Sequence, residues 1–281
     1  MILDQMVTSI IYLFSCFGIF ILGHFVFKFF RKDYNLHEEL IEKDNAALAL
    51  TMGGYYLGLI FSIGGVIDGP PSGLSQDLTD MLIYGVLSIV LLNISAIIND
   101  RFILYKFKIK KEILEDQNCG TGVVEFAIFT ASGLNIFGAV YGHGGSILTA
   151  VVFWFLGQLV LIAIGKYYNF IVQYDVHAHI EKDNVAVGIG FAGAILAMGN
   201  LLRVASADDF ISWGVNIGEF AVFLILGIII LPIARNLTDK ILLPGRSLAA
   251  ELVDQNKPNI GAAYLEACSY IGSSFLISWC V

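Results

Sequence analysis

Charged residues are scarce in this chain of 281 residues, at 14% of the sequence against about 25% in a typical soluble domain. Cysteine is scarce as well, and Cys16, Cys119, Cys268 and Cys280 stand far apart with no CxxC pair. Their spacing indicates neither a disulfide framework nor a zinc site, so we interpret them as small apolar residues. The low charge excludes a disordered chain, a soluble enzyme and a nucleic-acid-binding module.

Hydrophobic residues are abundant instead, at 57% of the sequence with a mean hydropathy of +0.77. A helix of about 20 apolar residues spans the hydrocarbon layer of a membrane, which is about 30 Å thick. Eight apolar runs of about this length predict an all-α, polytopic membrane protein in contact with the lipid bilayer. The runs are approximately 8–29, 46–67, 80–100, 120–141, 147–168, 185–205, 210–234 and 259–280.

The basic residues predict an orientation. Fifteen of the 16 lysines and arginines lie in the odd-numbered loops between the runs, and Arg203 alone lies on the other side. Because basic loops remain in the cytoplasm, we expect the odd-numbered loops to be cytoplasmic and both termini to be outside. The first run follows an acidic start and precedes Arg31 and Lys32, which is the reverse of a cleaved signal peptide. We therefore expect a retained first helix.

The chain contains an internal repeat. Residues 41–45 (Ile-Glu-Lys-Asp-Asn) recur unchanged as residues 180–184, 139 positions later. The pattern Asn-x-Gly-x4-Glu at 118–125 recurs at 259–266, 141 positions later. Each half holds four helices, an even number, so the two halves keep the same orientation. We predict two parallel four-helix membrane repeats, residues 1–145 and 146–281.

Four asparagines stand where a predicted cytoplasmic loop becomes a helix. Asparagine is a preferred N-cap, because its side-chain oxygen accepts a hydrogen bond from an otherwise unpaired backbone amide. The alternative is a polar vestibule, in which the positive ends of the helix dipoles attract anions. The four residues are Asn45, Asn184, Asn118 and Asn259.

Two glutamates, Glu125 and Glu266, are the strongest candidates for a function. Each follows its asparagine by seven positions, which places it roughly 10 Å inside the membrane at 1.5 Å per residue. A charged carboxylate at such a depth costs on the order of 2–3 kcal/mol. Both glutamates therefore need a proton, a cation or a partner.

Each glutamate shares a helix face with other polar side chains. Such a face is expected to point to the bundle interior or to a water-filled cavity. One interpretation is an ion or substrate path with titrating carboxyl groups, and the other is a protonated acid that holds helices together by hydrogen bonds. The accompanying residues are Ser132 and Asn135 beside Glu125, and Ser269 and Ser273 beside Glu266.

A third acid, Glu219, lies about nine residues into the seventh run, and we expect it to be buried near the middle of the membrane as a further titrating group. The sequence contains no nucleophile–base arrangement, HExxH motif or dinucleotide fingerprint, so we expect neither an enzyme nor a cofactor. We also expect no metal site, because His177 and His179 would diverge on a helix.

Taken together, the repeated motifs resemble the family called "domain of unknown function 350", the YjfL-like bacterial inner-membrane proteins. The resemblance covers nearly the whole chain as two tandem copies of a four-helix unit. It implies a multi-pass protein of the bacterial cytoplasmic membrane and supplies no activity. The matching positions are Glu42, Asn45, Gly54, Asp100, Asn118 and Glu125, then Glu181, Asn184, Gly193, Asp239, Asn259 and Glu266.

The leading functional hypothesis is a cation- or proton-linked transporter or channel for an ion or small solute. Its path would lie near the interface of the halves, lined by Glu125 and Glu266. A path with acids and no intramembrane lysine or arginine favours cations over anions. The alternative is a non-transporting membrane scaffold or stress-response partner that docks a cytoplasmic protein on residues 101–116. A homo-oligomer is compatible with both hypotheses.

Overall fold

The computed structural model of the chain describes residues 2–31, 34–69, 71–242 and 245–280, without the side chains of residues 2–5. These residues form helices joined by turns and contain no strand. Eight of the helices are long and apolar enough to cross a membrane, which confirms the predicted fold class. They are α1 (Ile2–Phe30), α2 (Ala46–Ile67), α3 (Leu74–Phe102), α4 (Cys119–Val140), α5 (Ile147–Val172), α6 (Val185–Ser206), α7 (Trp213–Leu237) and α8 (Ile260–Cys280).

One boundary differs from the sequence-based expectation in a way that affects the chemistry. The seventh apolar run was expected to end at residue 234, but α7 extends to Leu237 and continues directly into a π-helical segment, Thr238–Leu242. Arg235 therefore lies within a helix rather than in a loop. The run of apolar residues ends before Arg235, the first charged residue after it. The helix continues, because its backbone hydrogen bonds do not depend on the polarity of the side chains.

The helices α2, α4, α6 and α8 form the centre of the bundle and stand side by side in that order. All four begin at the same end of the bundle, which we call the basic end because most lysines and arginines lie there. The remaining helices α1, α3, α5 and α7 pack against this row. A short helix precedes each member of the row: Glu38–Glu42, Ile109–Leu114, Val176–Ile180 and Leu248–Val253.

Glycine allows the central helices to touch along their backbones. A Cβ atom added to Gly133 on α4 would overlap the backbone of Gly58 on α2, so only glycine fits this crossing. Close approach of this kind is typical of membrane helices, which associate through van der Waals packing rather than through a hydrophobic driving force. The row is therefore a rigid frame for the polar side chains it carries.

The structure places all four predicted asparagines at helix N-caps. The side-chain oxygen of each accepts a hydrogen bond from the backbone amide three residues later. This contact satisfies an amide that has no partner inside the helix. An anion-attracting vestibule at this end stays a prediction. The pairs are Asn45 with Leu48 (2.9 Å), Asn118 with Thr121 (2.8 Å), Asn184 with Val187 (3.1 Å) and Asn259 with Ala262 (3.1 Å).

Candidate functional site

Glu125 lies on α4 and is completely buried. Neither of its carboxyl oxygens has a hydrogen-bond donor among the residues that the structure describes. The carboxyl group interacts with that of Asp100 on α3. The guanidinium of Arg31 at the end of α1 lies over the rings of Phe27 and Phe129 and is close enough to attract both acids electrostatically. Two adjacent acids with one cation retain an excess negative charge unless one of them binds a proton or a cation.

A cavity of about 290 Å³ opens beside this pair at the basic end of the bundle. Asp100, Arg31 and Asn93 contribute polar atoms to its wall, together with Lys110 from the short helix before α4. One carboxyl oxygen of Asp100 is buried and has no hydrogen-bond partner among the described residues. Asp100 therefore connects the cavity to Glu125, which lies deeper in the bundle.

Further into the membrane, the side chains of three helices form a buried polar cluster. The amide nitrogen of Asn99 on α3 donates to Ser132 Oγ on α4 and to Gln158 Oε1 on α5, both at 3.1 Å. The opposite atoms of the two amides, Asn99 Oδ1 and Gln158 Nε2, have no partner among the described residues. Ser132 follows Glu125 by two turns on the same face of α4, so this cluster continues the polar surface of the acid pair.

The polar surface extends one turn beyond Ser132 to Asn135. Asn135 donates to the backbone carbonyl of Trp154 at 2.9 Å, and the Trp154 indole donates to Ser95 Oγ at 2.8 Å. Asn135 Oδ1 has no partner among the described residues. Ala139, one further turn along α4, lines a second cavity of about 220 Å³ at the opposite end of the bundle. A row of buried polar groups thus occupies the layer between two cavities.

Glu266 has very different surroundings from Glu125. It is completely buried on α8, but it forms an ion pair with Arg235 of α7. It also accepts hydrogen bonds from the hydroxyl groups of Tyr270 at 2.9 Å and Tyr168 at 3.2 Å. The expectation of an acidic path without intramembrane arginine is therefore wrong. Arg235 neutralises Glu266, and the structure surrounds the two glutamates with different sets of side chains.

The comparison with known proteins identifies the repeats. The family model described as "Domain of Unknown Function (DUF350)" matches residues 1–140 and matches again over residues 143–281. The chain belongs to the DUF350 family. Two tandem copies confirm the resemblance inferred from the repeated motifs. The repeat boundary between residues 145 and 146 stays a prediction.

A curated relative supports the assignment to the membrane. The UPF0719 transmembrane protein of Aquifex aeolicus (strain VF5) is 21% identical over 251 residues, which cover 88% of this chain and 90% of that protein. No solved structure matches the chain. With its eight apolar helices, this DUF350 protein is a multi-pass integral membrane protein.

The polar residues predicted on α8 of the second DUF350 copy are only partly interior. Ser269 is half-buried and accepts a hydrogen bond from Thr238 at 2.8 Å. Ser273 is also half-buried, whereas the adjacent Ser274 is fully buried and accepts a hydrogen bond from Asn200 of α6 at 3.2 Å. Neighbouring residues differ by about 100° around a helix, so spacing alone could not decide which serine faces inward.

The expectation that Glu219 is buried is wrong. Glu219 lies on an exposed face of α7 and lines a cavity of about 360 Å³ together with Asp68 and Arg203. The position of Glu219 in the sequence does not determine the direction of its side chain around the helix. The structure does not place it with Glu125 or with Glu266.

Sequence reasoning missed Asp100, Arg31, Asn99 and Gln158. Asp100 is the last residue of the expected apolar run 80–100, and only its match to the family pattern was noted. Its repetition as Asp239 was a usable signal, but the two copies differ: Asp239 accepts a hydrogen bond from the backbone amide of Leu248 at the basic end, whereas Asp100 faces Glu125. The other three residues carry no pattern that separates them from ordinary helix residues.

Proposed function

We propose that this DUF350 protein is a proton- or cation-linked transporter or channel, and that its path passes between α3, α4 and α5. The proposal is carried by Glu125, a fully buried carboxyl group that has no N–H or hydroxyl donor among the described residues and that lies against the carboxyl group of Asp100. Ionisable groups of this kind inside membrane helices are expensive, and they mark ion paths and proton relays.

The path starts at the cavity beside Asp100. A proton or cation from this cavity would neutralise the Asp100–Glu125 pair, with Arg31 limiting the total charge. Beyond the pair, the unpaired amide atoms of Asn99, Gln158 and Asn135 offer hydrogen bonds to water or to a moving ion. The row of polar groups supports a route toward the opposite cavity.

The proposal assigns the active role to the first repeat. Arg235 already balances the charge of Glu266, and both hydroxyl groups donate to the same oxygen, Oε1, while Oε2 is buried without a partner among the described residues. The role of Glu266 in the proposal is to hold α7 and α8 together. This arrangement replaces the symmetric path between both glutamates that the repeat motif predicted.

We also propose that the basic end faces the cytoplasm of a bacterial inner membrane, with both termini outside. The asymmetry of lysine and arginine supports this orientation. A phosphatase domain fused to the carboxyl terminus should be active in the periplasm, and green fluorescent protein at that terminus should stay dark. The reverse pattern would contradict the orientation.

The transport proposal is tested with purified protein in liposomes that contain a trapped pH dye. Proton entry is measured under a membrane potential imposed by a potassium gradient with valinomycin, and sodium and potassium entry are measured in separate liposomes without valinomycin by uptake of the labelled ions. We expect entry of at least one of these cations through the wild-type protein and its loss in Glu125→Gln. The matched control is Glu219→Gln, which makes the same substitution at an exposed acid near the opposite end of the bundle and should leave entry unchanged.

Two outcomes would contradict the proposal. One is wild-type liposomes that admit no more of the three cations than empty liposomes, which would favour the scaffold hypothesis. The other is unchanged entry in a well-folded Glu125→Gln variant. Infrared spectra provide a second measurement, because the carbonyl band of a protonated acid should be present in the wild type and weakened in Glu125→Gln.

A further inference from the structure

The two repeats join through a specific contact between segment 180–184 and the start of α4. The side-chain amide of Asn118 donates to the carbonyl oxygen of Ile180 at 2.7 Å. The backbone amide of Gly120 donates to a carboxyl oxygen of Asp183 at 3.0 Å. Ile180 is fully buried in this contact. We call it, together with the packing of α6 on α4, the α4–α6 junction.

The helices behind this contact pack backbone against backbone. A Cβ atom added to Gly188 of α6 would lie 2.6 Å from the carbonyl oxygen of Gly120. A Cβ atom added to Gly199, three turns further along α6, would lie 2.6 Å from the Cα atom of Ala131. The junction therefore requires small residues at both positions, and the structure buries them there.

Both sides of the junction occur a second time in the chain, where they are exposed. Segment 41–45 has the same five residues as segment 180–184, yet its Ile41 is 70% exposed and its Asp44 is exposed. The Asn-x-Gly pattern of α4 recurs as Asn259-x-Gly261 at the start of α8, and Gly261 is exposed. The amide of Asn259 donates to Glu251, at 2.9 Å, and to no second acceptor among the described residues.

The helix faces behind the two exposed segments are exposed as well, with small residues on α8 and larger residues than glycine on α2. The counterparts of Gly120 and Ala131 on α8 are Gly261 and Gly272, both exposed, and a Cβ atom added to Gly272 would meet nothing within 4 Å. The counterparts of Gly188 and Gly199 on α2 are Ala49 and Ile60, which are also exposed. Each half of the junction thus has a copy with no partner in the described chain.

The neighbours of the central helices point to the same gap. Helix α6 packs on α4, α5, α7 and α8, whereas its repeat counterpart α2 packs on α1, α3 and α4. Every neighbour of α6 has an equivalent beside α2 except α4. Likewise, α4 packs on α6 and α5, and its counterpart α8 lacks both of these neighbours in the described chain.

We propose that a second copy of this chain docks its segment 41–45 and helix α2 on α8 of the first copy, so that the hydrogen bonds of the α4–α6 junction are reproduced between molecules. The two helices stand farther apart than α4 and α6, because Ala49 and Ile60 replace Gly188 and Gly199. The backbone carbonyl of Ile41 in the second copy would accept a hydrogen bond from the side-chain amide of Asn259 in the first. The carboxylate of Asp44 would likewise accept one from the backbone amide of Gly261. The two surfaces are different, so the contact is head-to-tail and generates a closed ring or an open chain.

The first test uses Gly272→Leu in the full-length protein in lipid nanodiscs. The monomer has open space at Gly272, and leucine favours a helix, so the fold should survive while a docked α2 would be blocked. The control is Gly218→Leu on α7, where a Cβ atom also meets nothing within 4 Å. We expect native mass spectrometry to show assemblies for the wild type and Gly218→Leu, and monomers of 30.7 kDa for Gly272→Leu.

The second test distinguishes this contact from a symmetric one. In a background with the four native cysteines replaced by serine, Ile60→Cys and Gly272→Cys chains are oxidised separately and after co-expression. We expect a covalent dimer from the mixture and none from either chain alone. A monomeric wild type, assemblies that survive Gly272→Leu, or a mixture without cross-links would overturn the proposal.

Discussion

The two repeated glutamates should respond in opposite ways to the same substitution. Glu266→Gln removes the negative partner of Arg235, whose side chain is 11% exposed beside a fully buried carboxylate. Glu125→Gln removes a buried carboxyl group that has no donor among the described residues. Glutamine has nearly the same size as glutamate, so a difference in stability between the two variants reports on the charges that surround each side chain.

The structure sets the expected magnitudes. Removing one partner of a buried ion pair costs about 3–5 kcal/mol, because the other charge remains without compensation. Arg235 lies near the basic end and can move its head toward water, which places the cost at the lower limit, about 3 kcal/mol. At about 2–4 °C per kcal/mol for a chain of this size, Glu266→Gln should lower the Tm by about 6–12 °C. Glu125→Gln should change the stability by less than about 1 kcal/mol, or increase it.

The assay is thermal unfolding of the detergent-purified protein, followed by the fluorescence of its three tryptophans at one fixed scan rate. Glu219→Gln, at an exposed position, serves as the control and should stay within about 0.5 kcal/mol of the wild type. Equal losses of Tm in Glu125→Gln and Glu266→Gln would refute the reasoning, since they would mean that both acids depend on a partner to the same degree.

Two further predictions concern groups outside the proposed path. Ser274→Ala should cost about 1 kcal/mol through the lost hydrogen bond with Asn200, and Ser273→Ala should cost less than about 0.5 kcal/mol, as thermal unfolding of the two variants will show. Burial lowers the pKa of His177, which lies at the basic end outside the spanning helices. The unfolded state therefore binds more protons below about pH 6.5, and stability should fall as the pH drops through that value. His177→Gln should reduce this slope in a pH series of Tm, and an unchanged slope would contradict the assignment.

Depth in the membrane was predictable from the sequence for most elements. Apolar runs located all eight spanning helices because a hydrocarbon layer imposes a minimum helix length. Asparagines marked the starts of α2, α4, α6 and α8 because an N-cap needs only a local hydrogen bond. The repeated motifs predicted two parallel copies, which the family matches confirm.

Direction around the helix and choice of partner were not predictable in the same way. Glu219 was expected inside and lies outside, and Ser274 rather than Ser273 faces α6. Arg235 was assigned to a loop but pairs with Glu266, because a charged residue can remain in a membrane helix when its partner lies on the next helix. That partner is 31 positions away in the sequence, so no local pattern reveals it.

The sequence by itself determined the solvent of this protein, the number and depth of its helices, its tandem repeat and the caps of its central row. These features follow from local rules of length, polarity and hydrogen bonding along one chain. The tertiary structure alone decided that two equivalent glutamates differ, one paired with Arg235 and one facing Asp100. A charge in a membrane is governed by the side chains that surround it, and those are set by the packing of helices distant in the sequence.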